Sequence, residues 1–287
     1  MKLFDTHAHL DGFAAEGTVE AVLARAQAAG VACICAVGSS EASNELVVRL
    51  AGEYPEMLLA AVGYDRDQVE KPRDMGRLAA LAQDPRVVAV GEIGLDYYYS
   101  AETAPAQRAL FGEMLSFALE GRRPVIVHSR YADDDTVAML GEFSTAWKKV
   151  FHSVEKAEKD MGNTKVAPPA GEVDIPPPGI LHCFTGDAGF AEKLLALGYL
   201  ISFSGIVSFN NAGPLREVAR GIPADRLLVE TDCPYLTPAP FRGKVNEPAY
   251  VTRVVEVLAE VRSVEVAALA AATFANARRV YQVEGCR

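Results

Sequence analysis

The chain alternates short runs of apolar residues with longer stretches in which apolar residues recur every three or four positions. A continuous apolar run is typical of a strand buried on both faces, whereas the longer spacing is typical of a helix with one buried side. This pattern predicts strands at 2–9, 31–37, 57–63, 87–93, 124–128, 179–182, 199–203 and 226–231. It predicts helices at 18–29, 41–53, 73–83, 104–121, 132–142, 187–197, 212–220, 248–260 and 263–281.

Eight strands, each followed by a helix, predict an α/β fold of the (βα)8 TIM-barrel type. A doubly wound open sheet is the alternative, but no GxGxxG sequence follows the first predicted strand. Residues 143–178 interrupt the alternation between the fifth barrel helix and the sixth strand. We interpret them as an insertion, made of a helix with apolar residues such as Trp147 and Phe151 and then a Pro-rich segment. Because so short an insertion cannot build its own core, residues 1–287 are predicted to form a single domain.

The composition excludes disorder along the whole chain, because 50% of its 287 residues are hydrophobic. The chain has 28 Lys and Arg residues against 38 Asp and Glu residues, and its formal net charge is −10. This acidity argues against a broad basic surface for nucleic acid. It does not exclude a nucleic-acid substrate that is held by a few contacts and by metal ions.

The sequence favours a cytoplasmic location. The chain begins without the basic, apolar and small-residue regions of a signal peptide. No apolar run reaches the roughly 18 residues that a membrane span needs. The five cysteines lack CxxC spacing, and we expect them to be reduced, small apolar residues. We therefore expect no membrane association, and nothing in the sequence indicates an obligate protein partner.

Six histidines and carboxylates occupy the carboxyl ends of predicted strands, where the active sites of barrels assemble. His7 and His9 lie two residues apart, so a strand would point both side chains to the same face. One such residue could be a satisfied polar group of the core, but six on one rim indicate a metal centre. We exclude His152, which lies off the apolar stripe of its predicted helix. The six candidate ligands are His7, His9, Glu92, His128, His182 and Asp232.

Four imidazoles and two carboxylates suit Zn, Mn, Ni or Fe better than a single Mg ion, which prefers oxygen ligands and water. Six ligands exceed the three or four that hold one catalytic zinc ion. We therefore expect two divalent metal ions, with Mg retained among the possible identities, that share one bridging carboxylate. Such a pair lowers the pKa of a water molecule and stabilises the attacking and leaving oxygens of an in-line displacement.

The sequence resembles the TatD family of metal-dependent hydrolases, which belongs to the amidohydrolase-like barrels. The motifs that carry the resemblance lie at 4–11, 91–99, 128–130, 181–186, 230–238 and 242–248. They occur in the family's order and cover the chain outside the insertion. The resemblance implies a (βα)8 barrel with one or two divalent metals that acts as a phosphodiesterase on nucleic acid. Members of the family are described as 3′→5′ exonucleases, and some as deacylases of D-aminoacyl-tRNA.

The resemblance also implies roles for individual residues. The family's metal positions fall on the same six residues, with Glu92 in the bridging position. Many related amidohydrolases carry a carboxylated Lys there, so Glu92 modestly favours phosphodiester chemistry. Glu92 and Asp232 are the expected catalytic residues, and Asp232 can also accept the proton of the attacking water.

The expected substrate contacts lie on the same rim. Arg130 follows His128 by two residues and can pair with phosphate. The tyrosines at 97–99 either stack on a base or pack against a neighbouring loop. The loop after the eighth strand is a common phosphate site in barrels, although it has Val245 where the family usually has a basic residue. Its candidate contacts are Arg242, Lys244, Asn246 and Glu247.

The leading hypothesis is a metal-dependent hydrolase that cleaves phosphodiester bonds in DNA with a metal-activated water, as a 3′→5′ exodeoxyribonuclease. Its expected partner is the end of a single-stranded DNA. The alternative is a metal-dependent ester hydrolase, such as a D-aminoacyl-tRNA deacylase, that holds the acceptor end of tRNA. A third hypothesis, a scaffold on an inactive barrel, predicts that at least one ligand is missing, and none is missing from the sequence.

Overall fold

The predicted strands form one sheet of parallel strands in chain order. The computed structural model of the chain describes residues 1–160 and 175–284. The strands are β1 (Leu3–Ala8), β2 (Val31–Val37), β3 (Leu58–Val62), β4 (Val87–Asp96), β5 (Val125–Arg130), β6 (Gly179–Leu181), β7 (Leu200–Phe203) and β8 (Leu227–Val229). Each strand pairs in parallel with the next one from β1 to β8. The prediction of a (βα)8 TIM-type barrel is confirmed.

The first strand meets the chain segment that follows the last strand, and this contact nearly closes the barrel. Ala8 forms a parallel bridge with Cys233. The backbone N–H of Asp232 donates to the His7 carbonyl at 3.0 Å, and that of His9 donates to the Cys233 carbonyl at 2.8 Å. Three of the candidate ligand positions, His7, His9 and Asp232, therefore lie directly at the closure of the sheet.

Helices follow the strands around the outside of the sheet. They are α1 (Asp11–Ala15), α2 (Val19–Ala28), α3 (Glu41–Glu53), α4 (Met75–Leu81), α5 (Ala104–Glu120), α6 (Asp133–Asp160), α7 (Ala188–Ala196), α8 (Gly213–Gly221), α9 (Val251–Arg262) and α10 (Val266–Tyr281). The last helix also contacts the barrel interior, because the Tyr281 ring lies 5.6 Å from that of Phe4 and its hydroxyl donates to the Thr6 carbonyl at 2.7 Å.

Successive residues of each strand point alternately to the helices outside the sheet and to the interior of the barrel, which are two separate hydrophobic cores. On β2, Ile34 and Ala36 pack with the helices, whereas Cys33 and Cys35 pack with the residues that fill the barrel. Both sets are buried, which explains why the strands read as continuous apolar runs rather than as alternating ones.

The predicted helix boundary at 142 is wrong. Helix α6 runs without a break from Asp133 to Asp160, so the first part of the expected insertion extends a barrel helix. Phe143, Trp147 and Phe151 recur every four residues and form one line of ring contacts, which leaves no break in the buried face. The indole N–H of Trp147 donates to the Pro176 carbonyl at 2.8 Å. Most of the expected Pro-rich segment, 161–174, lies outside the described residues.

The structure bears on the expected state of the cysteines and on the search for membrane-spanning helices. Cys35, Cys183 and Cys233 are free thiols, as expected. Cys33 is disulfide-bonded, so the expectation of fully reduced cysteines is wrong at this position. Among the described helices, none combines the length and the apolar character that a membrane crossing requires.

A close approach between β4 and β5 fixes the geometry beneath the site. Gly94 pairs with His128 in the sheet and has a φ of +141°. A Cβ atom at Gly94 would lie 2.0 Å from the His128 carbonyl oxygen. No side chain fits in this space, so glycine is required for the two strands to carry their polar residues to the same rim.

We predict that Gly94→Ala lowers the free energy of unfolding by about 3 kcal/mol or more, because the strands must separate to admit the methyl group. The matched control is Gly17→Ala. Gly17 also has a positive φ, +68°, but its Cβ position is open, so this variant should lose only about 1 kcal/mol. Urea unfolding of both metal-free variants measures the difference. Equal losses would mean that backbone conformation, and not the close approach, sets the requirement.

Candidate metal centre

The structure brings all six candidate ligands together around the carboxylate of Glu92. On one side, the Nε2 atoms of His7 and His9 are 3.1 Å apart and lie 3.5 and 3.4 Å from Glu92 Oε2. Asp232 Oδ1 lies 3.8 and 3.6 Å from the same two nitrogens. We call His7, His9, Asp232 and Oε2 of Glu92 the first donor group.

The other oxygen of Glu92 faces the remaining two histidines. Oε1 lies 3.3 Å from His128 Nδ1 and 3.3 Å from His182 Nε2. These two nitrogens are 3.4 Å apart. We call His128, His182 and Oε1 of Glu92 the second donor group, and Glu92 is the residue that the two groups share.

The spacing within each group fits a bound cation. Ligand atoms about 2.1 Å from a tetrahedral ion lie about 3.4 Å from one another. The distances within the two groups run from 3.1 to 3.8 Å. Neutral imidazole nitrogens and carboxylate oxygens together suit Zn or another transition metal. The histidines and carboxylates of both groups are therefore able to hold metal.

The backbone turns sharply where it presents two of these ligands. His182 follows β6 directly, and the next residue, Cys183, has a φ of +45°. Asp232 lies three residues beyond β8 and has a φ of +56°. Residues other than glycine adopt this left-handed region at a cost in energy. These turns lie just beyond β6 and β8, and the side chains of His182 and Asp232 reach the two donor groups from there.

Two buried carboxylates outside the donor groups orient the second pair of histidines. Asp96 Oδ2 lies 3.3 Å from His128 Nε2, and Glu230 Oε1 lies 3.3 Å from His182 Nδ1. Asp96 is hydrogen-bonded to its ring, whereas Glu230 lies at ion-pair distance from His182 Nδ1 without hydrogen-bond geometry. In both histidines the other ring nitrogen faces Glu92. Sequence reasoning did not assign these roles, although both residues lie within the motifs. Their position beside a ligand at a strand end was the available signal.

Arg66 is a further residue that sequence reasoning missed. It lies just after β3, and its Nη1 is 2.9 Å from Glu92 Oε1 and 2.6 Å from Asp65 Oδ2. Its Nε is 3.7 Å from Asp96 Oδ2. A fixed positive charge therefore lies beside the second donor group. The charged pair Asp65–Arg66 at the carboxyl end of a buried strand was the signal in the sequence.

The two carboxylates of the donor groups differ in basicity when no metal is bound. Burial raises the pKa of Asp232 to about 6. Burial acts in the same direction on Glu92, but the imidazoles of His182, His128 and His7 outweigh it and hold the Glu92 pKa well below its ordinary value. Divergent pKa values of this kind separate a group that accepts protons from one that stays ionised. Asp232 is the better proton acceptor.

The histidines also differ from one another. Burial and the charge of His182 lower the pKa of His7 to about 4. Burial opposes protonation of His9 and His182 as well, but carboxylates outweigh it in both. Glu92 and Asp232 raise the His9 pKa to about 9, and Glu92 with Glu230 holds the His182 pKa well above its ordinary value.

A cavity of about 890 Å³ opens above the donor groups. Glu92, His128, His182 and Asp232 line it, and so does Arg130. Arg130 therefore lies on the rim beside the candidate metal ligands, as the sequence predicted.

None of the four residues expected to contact substrate in the loop after β8 lines this cavity, although Tyr235 and Leu236 of the same loop do, so those contacts stay predictions. Asn246 is fully buried, and its amide N–H groups donate to the carbonyls of Thr231 and Tyr235. Glu247 accepts hydrogen bonds from Arg25 of α2 at 2.6 to 2.9 Å. Both side chains fix the path of the loop that follows Asp232.

The two basic residues of this loop are exposed, but they point elsewhere. Arg242 lies over the Phe209 ring at 4.0 Å and donates to the Thr237 carbonyl. Lys244 lies 5.8 Å from the centre of the Phe241 ring. Neither residue lines the cavity above the donor groups.

Comparison with known proteins finds the same family in the profile match and in individual relatives. The profile of the family described as TatD related DNase matches residues 4–282. The chain is 41% identical over 290 residues to the metal-dependent hydrolase YcfH of Escherichia coli (strain K12). This alignment covers 100% of this chain and 98% of YcfH. It is 35% identical over 285 residues to the metal-dependent hydrolase YabD of Bacillus subtilis (strain 168), covering 98% of this chain and 99% of YabD.

A solved structure resembles the whole fold. The crystal structure of YjjV, a TatD homologue from Escherichia coli K12, superposes with a TM-score of 0.83 at 30% sequence identity. The match covers 98% of each chain.

We predict that metal binding releases protons at pH 7. The raised pKa values leave His9 and His182 protonated in the metal-free chain, whereas a metal ligand must be neutral. Because protons compete with metal below these pKa values, metal affinity should rise as the pH increases from 6 towards 9. Isothermal titration of Mn²⁺ or Zn²⁺ in buffers of different ionisation enthalpy counts the protons. His152→Gln, which changes an exposed histidine, should leave the count unchanged. A count of zero for the unaltered chain would contradict the prediction.

We predict that Glu230→Gln weakens metal binding by about 10- to 100-fold, since the neutral amide no longer stabilises the orientation and basicity of His182. Asp96→Asn should act similarly through His128. A titration with a competing chelator measures both affinities. The control is Glu53→Gln, which alters an exposed helix carboxylate paired with Arg49. Unchanged affinity in both site variants would mean that the outer carboxylates do not support the ligands.

Proposed function

The chain belongs to the family of TatD-related DNases, which are metal-dependent hydrolases, and from this membership we propose that it hydrolyses phosphodiester bonds at the end of single-stranded DNA. The proposal includes two divalent ions and 3′→5′ polarity. The observation that carries it is the position of Glu92 between two donor groups, beside a cavity that Arg130 lines.

The residues of the site have different roles in the proposed hydrolysis. When bound, a pair of divalent cations supplies positive charge that lowers the pKa of a water molecule and stabilises the oxygens around phosphorus. Glu92, Asp232 and the four imidazoles would hold those cations. Asp232, which has the raised pKa, accepts the proton that the attacking water loses.

Arginine side chains hold the phosphate in this scheme. Within the described part of the chain, the guanidinium of Arg130 makes ring contacts and no hydrogen bond or ion pair. Its N–H groups are therefore available to a phosphate oxygen in the cavity. Arg66 is engaged with Asp65 and Glu92, and it keeps a positive charge next to the reacting bond.

Few basic residues reach the cavity, and this favours a short segment of substrate. The loop at 242–247 contributes none of its side chains to the lining. A long duplex is bound mainly through many phosphate contacts, which this rim does not offer. A single-stranded end needs fewer contacts, and so does the acceptor end of a tRNA in the alternative ester hydrolase.

We predict that Glu92→Gln and Asp232→Asn each lower the rate of single-stranded DNA hydrolysis with Mn²⁺ by about 10²- to 10⁴-fold, because one removes the shared ligand charge and the other removes the proton acceptor. Release of nucleotides from a labelled oligonucleotide measures the rate. Glu53→Gln on α3 should keep the full rate.

A D-aminoacyl ester assayed beside the DNA separates the two chemistries. Hydrolysis of the ester alone by the same metal-loaded preparation would support the deacylase. Failure on DNA, RNA, dinucleotides and the ester would contradict both functions. An oligonucleotide labelled at either end also determines the polarity. The cytoplasmic location expected from the sequence stays a prediction.

A further inference from the structure

Three exposed tyrosines cluster at the mouth of the cavity. Tyr98 is 54% exposed, Tyr99 is 70% exposed and Tyr131 is 74% exposed. The rings of Tyr98 and Tyr131 stack at 5.3 Å, and Tyr99 meets Tyr98 edge-on at 4.8 Å. Tyr99 and Tyr131 line the same cavity as Glu92 and His128. We call Tyr98, Tyr99 and Tyr131 the tyrosine platform.

Folding does not account for the position of Tyr131. Its φ of +55° lies in the left-handed region, which is unfavourable for a bulky residue. In return the side chain gains only a stacking contact with Tyr98 and stays 74% exposed. Tyr97, two residues before Tyr99, has a structural role, because it is half-buried and its hydroxyl donates to Asp135 at 2.6 Å. A strained backbone that presents an exposed ring next to a reactive centre indicates a binding role.

Arg130 adds a charge to the platform. Its Cζ lies 4.1 Å from the centre of the Tyr98 ring and 4.8 Å from that of Tyr99. Two other residues of the cavity lining, Asp133 and Asp187, are acidic and repel phosphate. An anionic strand is therefore attracted to the part of the rim where Arg130 and the tyrosines lie.

Resting on the proposed function, we propose that the tyrosine platform binds a nucleobase of the single-stranded DNA next to the bond that is cleaved, while Arg130 contacts its phosphate. Aromatic rings stack on any base, because every base has a π face. Such a site positions the strand end without reading its sequence. It also explains how a rim with few cations can hold a polyanion.

The test uses Mn²⁺-loaded protein and a single-stranded oligonucleotide with phosphorothioate linkages, which resist hydrolysis. 2-Aminopurine replaces each of the last three bases in turn, and its fluorescence is quenched when it stacks. We expect quenching at one position. Tyr131→Gly should weaken binding about 10-fold or more without lowering the melting temperature, since glycine accepts the positive φ. Tyr131→Phe keeps the ring and should bind within about twofold of the unaltered chain.

An oligonucleotide with an abasic site at the quenched position completes a double-mutant cycle between the base and Tyr131. Removing the base should weaken binding to the unaltered chain but have no further effect on Tyr131→Gly. Equal binding by Tyr131→Gly and the unaltered chain would overturn the inference, as would a melting temperature that falls in parallel with affinity. Cleavage of an unmodified oligonucleotide is measured separately. Cleavage with no dependence of quenching on Tyr131 contradicts the platform alone, whereas Tyr131-dependent quenching without cleavage supports the platform and contradicts the proposed function.

Discussion

The buried carboxylate of Glu92 is the constraint on which the rest of the site depends. Its two oxygens face two different groups of imidazole nitrogens at 3.3 to 3.5 Å. A buried charge is costly unless positive or hydrogen-bonding groups surround it. Histidines from β1, β5 and the end of β6 must therefore reach one point above β4. A closed parallel barrel does this, because all its strands end on one rim. The close approach of Gly94 to β5 sets the local distance.

The ligands were predictable because topology alone brings them together. A polar residue that ends an apolar strand is visible in the sequence, and a barrel places every strand end on the same rim. Side chains of the loop after β8 could not be assigned in this way. Asn246 bonds to backbone carbonyls and Glu247 pairs with α2, so both side chains fix the path of the loop. The path of the loop decides which of its side chains reach the cavity, and residue type alone does not indicate that path. Arg66 was missed for the same reason. In the sequence it is one charged loop residue among many, and only the fold brings it beside Glu92.

The fold was predictable to the level of strand order, whereas the short helix α1 and the end of α6 were not. Continuous apolar runs gave all eight strands, because a sheet covered on both faces buries every position. The alternation of strands and helices then indicated a barrel. The end of α6 was placed too early, because residues from 143 onward were interpreted as a separate inserted helix, whereas Phe143, Trp147 and Phe151 continue one buried face. The hydrophobic pattern describes which face is buried, and it carries no signal for what a helix extension packs against.

Under the proposed function, the net charge of −10 is a poor guide to how the protein binds a polyanion. Part of that charge lies inside the site, where Glu92 and Asp232 face imidazoles, and where Asp65 is paired with Arg66. Those charges are compensated locally and contribute little to the potential outside. What a substrate meets is the cavity mouth, with Arg130 between exposed rings. Short-range stacking and one free guanidinium therefore matter more there than the sum of charges. Under the proposed function, this arrangement favours brief contact with a strand end, because among the described residues only Arg66 and Arg130 bring a Lys or Arg side chain to the cavity.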